Sequence, residues 1–237
     1  MDKLVICLPL IRPMTELRVE EAILLRRSIR SYSNKPVEIE KLSLLLWGAY
    51  GYTYPLKGFR ASPSAGATFP LELYVVIGSK GVINGEEYVE PGSYKYRAST
   101  HSLVLIRKGD LRRELYIAAL EQEWVLQAPL SIIITAVYER TTSYYGERGA
   151  KRYVPMEVGH VGQNIYLLAT SLGLGTVAIG AFYDEYVSNV IDASENEVPM
   201  YIMPIGYPAT LITSNFDEIN SFIENNRKRK KRSLLNM

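Results

Sequence analysis

The strongest pattern in the sequence is a helix followed directly by a strand, between residues 157 and 182. Positions 158, 161, 165, 168 and 172 are all apolar, at the spacing of a buried helical face. Gly173 predicts the end of this helix, and the short apolar run at 176–179 predicts a buried strand. His160, Gln163 and Asn164 share one face of this helix, so they need polar partners in the protein or in a ligand.

Similar patterns predict the elements in the rest of the chain. The predicted helices cover residues 17–30, 36–48, 111–125 and 184–190, and the predicted strands cover residues 73–77, 131–138 and 199–205. Residues 85–107 predict a hairpin about Pro91 and Gly92. Residues 60–70 and 139–155 are expected to be loops, the second a candidate lid. This irregular alternation favours an α+β fold with a mixed, mostly antiparallel central sheet flanked by helices.

Length and charge predict one domain and limit the classes of partner. The 237 residues suit a single domain over residues 1–237, with a core at 17–209 and a basic tail at 210–237. A net charge of +2 does not indicate a polyanion-binding protein, so a nucleic-acid partner is not expected. The run RKRKKR at 227–232 leaves two alternatives open, a solvated tail or a phosphate or nucleic-acid contact.

The cysteine and histidine content excludes two kinds of site. Cys7 is the only cysteine, so no internal disulfide can form, and it lies in an apolar run that is expected to be a packed segment. The only histidines, His101 and His160, are too few for a metal-ligand cluster, and no metal is expected. The apolar run is too short for a membrane span and lacks an export cleavage site, so we expect a cytoplasmic protein.

The glycines do not support a dinucleotide site of the Rossmann type. Gly173, Gly175 and Gly180 follow a helix and lead into a strand, whereas the phosphate-binding fingerprint must leave a strand and open a helix. The sequence also lacks a phosphate-binding loop of the G-x-x-x-x-G-K-[ST] type and a G-x-S-x-G nucleophile elbow. Nucleotide hydrolysis and serine-esterase chemistry are therefore not indicated.

Three segments together carry the positive signal. The first contains Arg26, Arg27, Ser28 and Arg30, whose forked donors and hydroxyl suit a phosphate and a polyol chain. Alone, such a cluster is more often a run of surface charge. The second is the small-residue loop Pro63-Ser64-Ala65-Gly66-Ala67, and the third is the turn Ile179-Gly180-Ala181-Phe182. Small residues let the main chain approach a flat ring closely.

Four strings in this order resemble the flavin-binding blocks of the nitroreductase family, and more narrowly the SagB-type dehydrogenases that oxidise azoline rings in peptide natural products. The strings are RRSIRSY, PSAGATFPLELYVV, GHVGQNIYLLATSLGLGTVAIGAF and MPIGYPA. With the segments between them, they span nearly the whole chain from residue 20 to residue 209. Each string alone is weak, but four in sequence are specific.

The resemblance implies a nitroreductase-like α+β fold, a homodimer formed through long central helices, and FMN at the subunit interface. By matching position, Arg26, Arg27, Ser28 and Arg30 would hold the phosphate and ribityl end. Pro63, Ser64, Ala65 and Ala67 would lie along the flavin from the other subunit, and Ile179, Gly180 and Ala181 would place main chain against the ring. Two departures are Ala67 and Phe69, where many members carry an amide side chain, and the lack of a basic residue shortly after the Gly-Tyr-Pro block. Only Arg227 or Lys228 could replace that residue.

The hypothesis is an FMN-dependent oxidoreductase that transfers hydride with a small organic or peptide-derived substrate. Two alternatives are open: a reductase that takes its electrons from NAD(P)H, and a dehydrogenase. The alternative is a non-catalytic flavin-fold protein that binds a partner or nucleic acid through its basic tail. No residue identifies itself as a catalytic acid or base. His160 and Gln163 would bond across helices in a dimer core or lie near the flavin, and Tyr144, Tyr145 and Tyr153 would cover the ring or simply pack.

Overall fold

The computed structural model describes residues 4–235, with side chains up to residue 229. The helices are α1 (Val19–Leu25), α2 (Ile39–Tyr50), α3 (Arg112–Ala118), α4 (Glu123–Gln127), α5 (Glu139–Tyr145), α6 (Val154–Ser171), α7 (Asp184–Ile191) and α8 (Phe216–Leu235). The strands are β1 (Val5–Cys7), β2 (Val37–Glu38), β3 (Tyr52–Tyr54), β4 (Phe59–Arg60), β5 (Leu71–Ile77), β6 (Val82–Asn84), β7 (Glu87–Tyr88), β8 (Gly92–Arg97), β9 (Ser102–Lys108), β10 (Leu130–Val137), β11 (Gly175–Thr176) and β12 (Glu197–Gly206).

Seven strands form one central sheet in the order β1-β9-β8-β5-β10-β12-β11. Every neighbouring pair in this sheet is antiparallel. Strand β10, which lies between β5 and β12, is buried along its whole length because both of its faces are covered by helices. This explains why its sequence is a nearly continuous apolar run rather than an alternating one.

Two apolar clusters cover the two faces of the sheet. Residues of α2 and α6 pack on one face, which receives Ile132 and Ile134 of β10, whereas α3, α4 and α7 pack on the other face, which receives Ile133. The helices α2 and α6 approach closely at Gly48, where an added Cβ would lie 2.0 Å from the Leu168 side chain. The structure therefore confirms the α+β class and the helix-flanked antiparallel sheet.

Several predicted element boundaries were wrong. The helix predicted at 111–125 is two helices, because Leu120 and Glu121 adopt left-handed φ angles of 56° and 57° that interrupt it. Pro91 and Gly92 are not the hairpin turn, since β8 begins at Gly92 and the β8–β9 turn contains His101 at a φ of 46°. The strand predicted at 176–179 is reduced to β11 and a single bridge between Ile179 and Ile202.

Residues 139–155 are not the loop that the lack of periodicity predicted. They contain α5, a π-helical turn at Gly149–Tyr153 and the start of α6. Most of this segment is exposed, so it has no apolar stripe to reveal it, and its packing depends on a contact between Thr141 and Gly149. Cys7 was also expected to be packed, but it is exposed because β1 is an edge strand.

The helix predicted at 17–30 ends early, at Leu25. Ile29 instead donates its N–H to the Thr176 carbonyl at 2.9 Å, which extends the backbone of residues 26–30 alongside β11. The basic tail is part of α8, which is exposed up to residue 229. None of the helices within residues 4–235 has the length and apolarity needed to cross a membrane.

Glu197 is a buried carboxylate in β12 that accepts hydrogen bonds from several side chains of other strands of the sheet. Replacing it therefore tests how much these bonds stabilise the sheet. Glu197 accepts hydrogen bonds from Lys95 at 2.7 Å, the Tyr74 hydroxyl at 2.8 Å and the Thr135 hydroxyl at 2.9 Å. Burial raises the pKa of Glu197, but the bonds from Lys95, Tyr74 and Thr135 outweigh it and hold the pKa below 4.5.

We expect Glu197→Gln to lower the free energy of unfolding by about 1–3 kcal/mol at neutral pH. Because the folded pKa lies below the unfolded one, the carboxylate stabilises the protein above the unfolded value and loses this effect as the pH falls through the folded value. The difference between the variant and the wild type should therefore shrink in acid. Urea unfolding at pH 7 and in acid measures this difference in the free energy of unfolding, with Glu90→Gln as an exposed control. An equal difference at both pH values would contradict this role.

Candidate functional site

The segment containing Arg26, Ser28 and Arg30 lies beside the segment that follows α6. Ser28 bridges Thr176 in parallel, so the start of the arginine cluster runs along β11 towards Ile179 and Gly180. Two of the three segments that the sequence singled out are thus neighbours in one chain. Sequence spacing alone could not show this, because about 150 residues separate them.

The hydroxyl of Tyr166 on α6 holds these two segments together. It accepts the N–H of Ala178 at 2.8 Å and shares a 3.0 Å hydrogen bond with the Ser28 hydroxyl. The guanidinium of Arg26 lies over the same ring, 5.3 Å from its centre. Tyr166 was not among the predicted site residues, although a phenol on an apolar helix needs a partner.

The remaining arginines of the cluster differ in their contacts. Arg27 turns back and donates to the carbonyls of Leu24 at 2.7 Å and Arg26 at 2.8 Å, so this guanidinium also holds the end of α1. Arg30 is exposed and lies over the ring of Trp124, 5.6 Å from its centre. Arg26 and Arg30 therefore keep more of their donors available for an anion than Arg27 does.

The turn at Ile179, Gly180 and Ala181 exposes main chain next to this cluster. Ile179 is buried and exchanges two backbone hydrogen bonds with Ile202, at 2.9 and 3.0 Å. Gly180 and Ala181 then emerge at the surface, where the Ala181 carbonyl accepts from Gln122 at 3.1 Å. The backbone bonds to Ile202 thus fix the start of the turn, and the exposed residues Gly180 and Ala181 carry no bulky side chain.

The loop with Pro63, Ser64, Ala65 and Ala67 borders a cavity of about 430 Å³. Pro63, Ser64 and Ala67 line this cavity, and Ala65 lies in the short turn between them. The Ser64 hydroxyl accepts the Phe69 N–H at 2.9 Å, and Gly66 has a left-handed φ of 59°. These bonds fix the loop in a sharp turn whose small side chains border the cavity.

Two contacts attach this loop to its surroundings. The Ser62 hydroxyl donates to the Ala49 carbonyl at 2.8 Å and accepts from the Asn164 amide at 3.1 Å. The Tyr145 hydroxyl lies against Gly66, where an added Cβ would come within 2.5 Å of it. Asn164 thus finds its polar partners inside the chain, whereas His160 and Gln163 are exposed on α6.

Glu157 is a buried carboxyl group next to the same loop. Only 2% of it is exposed, and it accepts a 2.5 Å hydrogen bond from the Tyr50 hydroxyl. Burial raises the pKa of Glu157, opposed by the hydroxyls of Ser64 and Tyr50 and by the charges of His160 and Arg60. Sequence patterns did not single out this residue, because one acid in a helix is unremarkable without its neighbours.

The two sets of site residues lie on opposite sides of α6. Glu157 and Asn164 are seven residues apart and so share one side, which contacts the loop. Tyr166 follows Glu157 by nine residues, which at about 3.6 residues per turn places it on the other side, against Ser28. In one chain, the body of the helix therefore separates the loop from the arginine cluster.

The sequence model of the nitroreductase family matches residues 23–207, which contain both sets. The chain belongs to the nitroreductase family. This family depends on FMN, so the protein is a flavin-dependent oxidoreductase whose cofactor is FMN. The hydrogen-bonding groups present fit that cofactor. Arg26 and Arg30 offer donors to an anion, and Ser28 offers a hydroxyl to a polyol chain, beside the exposed main chain of Gly180.

The chain is similar to proteins described as nitroreductases and to a protein of the trifolitoxin operon. A protein of Methanocaldococcus jannaschii described as a nitroreductase is 48% identical over 81% of this chain and 91% of its own length. The structure of a protein from Ralstonia eutropha JMP134, described likewise, is 27% identical with a TM-score of 0.74, over 87% of this chain and 90% of that one. The trifolitoxin operon protein TfxC of Rhizobium leguminosarum bv. trifolii is 23% identical over 83% of this chain, which spans 58% of TfxC.

We expect Arg26→Ala to weaken FMN binding by about 10- to 100-fold, since a charge-assisted hydrogen bond contributes about 1.5–3 kcal/mol. Titration of the apoprotein with FMN, followed by flavin fluorescence, measures the change. Arg113→Ala is the matched control, because Arg113 is also an arginine but is exposed on α3, away from this cluster. Equal FMN affinity in Arg26→Ala and the wild type would show that the phosphate lies elsewhere.

Proposed function

We propose that the protein is a homodimeric, FMN-dependent oxidoreductase of the SagB-type dehydrogenase branch, acting on a small organic or peptide-derived substrate. One observation carries the dimeric site: the arginine cluster and the loop of Pro63 to Ala67 lie on opposite sides of α6. A second copy that packs against α6 would set its own loop opposite the arginine cluster of the first. The site would then be complete only in the pair.

The exposed surface of α6 supports such a pairing. Met156, Gly159, His160 and Gln163 form a stripe that is left exposed by the described part of the chain, and Met156 is 54% exposed. Gly159 has open space around its Cα, so a second helix could approach closely there. Members of the family are typically dimers. His160 and Gln163 would then bond across the dimer rather than within one chain.

In this arrangement each part of the chain has a separate task. Arg26 and Arg30 would hold the phosphate of FMN, with Ser28 at the ribityl chain and Arg27 stabilising the end of α1 behind them. Gly180 and Ala181 would bring main chain to the ring, and Pro63, Ser64, Ala65 and Ala67 of the other subunit would lie along it. Bound FMN supplies the hydride chemistry. Tyr145, held against Gly66 and 4.9 Å from the Tyr153 ring centre, would exclude water above the loop.

The dehydrogenase branch is supported by the loop itself and by the relatives. This chain has Ala67 and Phe69 in its loop, where many nitroreductases carry an amide side chain. The similarity to TfxC, a protein of the trifolitoxin operon, extends over 210 residues. We therefore favour a peptide-derived or small heterocyclic substrate that is oxidised, over a nicotinamide-fuelled reduction.

A mixed dimer tests whether the site is shared between subunits. Arg26→Glu repels the phosphate and Pro63→Trp fills the loop cavity, so each variant alone should lose FMN. If the site combines the two subunits, a purified dimer with one copy of each variant has one intact site, and about half of its sites should bind FMN. Absorbance of oxidised flavin per dimer gives the result. A mixed dimer without flavin would show that both groups serve the same site in one chain.

Anaerobic reduction tests the reaction class. A dehydrogenase that takes hydride from its own substrate should keep its flavin oxidised in the presence of NADH or NADPH, because it has no need of a nicotinamide donor. Dithionite should bleach the same sample, which proves that the flavin is intact and reducible. Rapid bleaching by either nucleotide, with turnover of a quinone or nitroarene acceptor, would assign the protein to the nicotinamide-fuelled reductases instead.

A further inference from the structure

A second cavity, of about 360 Å³, shares Arg60 with the loop cavity, since Arg60 lines both. Its walls come from β3, β4, β5 and β8, and include Tyr52, Glu72, Lys95 and Arg97. None of Arg26, Ser28, Arg30 or Gly180 lines it. Its volume is within the range of small-molecule sites. The flavin arrangement proposed above therefore leaves this cavity without a role.

Arg60 is held in this wall by aromatic rings rather than by a carboxylate. Its guanidinium lies over the rings of Tyr50 at 4.4 Å, Phe69 at 5.0 Å and Tyr52 at 5.1 Å. Its Nε is buried and has no hydrogen-bond partner among the described residues. Arg60 as a whole is half-buried, and a guanidinium that is partly shielded from water binds an anion more strongly than a fully exposed one, because less hydration is lost.

The acidic groups around the cavity are already committed. Glu197 pairs with Lys95 at 2.7 Å, and Glu72 pairs with Arg140 and, at 3.7 Å, with Lys95. Among the side chains that the structure describes, neither Arg60 nor Arg97 forms a salt bridge. Arg97 is exposed on β8 at the rim of the cavity. Two arginines with unused donors therefore line one cavity, and the one carboxylate in its lining, Glu72, is already paired with Lys95 and Arg140.

We infer that this cavity binds the oxyanion group, a carboxylate or a phosphate, of a small organic ligand, with Arg60 at its inner end and Arg97 at its rim. Both groups present two acceptor oxygens that match the planar fork of a guanidinium. The Tyr52 ring and the apolar side chains of Leu71 and Leu73 offer the rest of the ligand a partly apolar wall. This inference does not rest on the dehydrogenase reaction, and it holds for any flavin chemistry at the loop.

Calorimetric titration of the FMN-loaded protein with inorganic phosphate and with benzoate tests the site, at constant ionic strength set with chloride. Phosphate binding alone would identify a phosphate site, and benzoate binding alone a carboxylate site. Either result supports the inference if Arg97→Met weakens binding by about tenfold or more, the loss expected for one charge-assisted hydrogen bond. Arg113→Met removes an exposed arginine that does not line the cavity and should leave binding unchanged.

Arg60→Lys provides a second variant, since it keeps the charge and removes the fork, and it should also weaken binding. Flavin content must stay at the wild-type level in Arg97→Met. The inference is overturned if neither anion binds, if binding is the same in Arg97→Met and Arg60→Lys as in the wild type, or if Arg97→Met loses its FMN. The last outcome would mean that the cavity belongs to the flavin site.

Discussion

The position of α6 between two groups of residues is the constraint on which the rest of this structure depends. A helix has a fixed turn, so the seven-residue and nine-residue spacings from Glu157 decide which side of the rod each contact occupies. One side carries the small-residue loop and the other carries the arginine cluster. A ligand that contacts both the loop and the arginine cluster must therefore bind between two chains. Within one chain it can contact only one of the two groups.

The rest of the fold serves to hold α6 in place. The close approach at Gly48 and the Asn164 bond to the Gly48 carbonyl, at 2.9 Å, lock α6 onto α2. The apolar residues of α6 pack on the sheet, so the helix cannot rotate without exposing them. Because Tyr166 and Asn164 leave the same rigid helix, the distance between the two half-sites is fixed by the core and not by flexible loops.

Arg60 links the loop to a different part of the molecule. It borders the loop cavity on one side and the cavity that also contains Arg97 on the other, and its charge reaches the buried Glu157. A ligand in the second cavity would therefore change the electrostatic field at the loop that we assign to the flavin. The two cavities share a wall, so their occupants would sense each other without direct contact.

The sequence by itself determined the long helix, the buried central strand and the groups of residues at the site, because periodicity, glycine and charge act locally along the chain. Only the tertiary structure decided that 139–155 is largely helical, that 111–125 is broken, and that Tyr166, Glu157 and Arg60 lie beside the candidate site residues. These features depend on contacts between residues far apart in the chain. A single tyrosine or acid carries no pattern until folding supplies its partner.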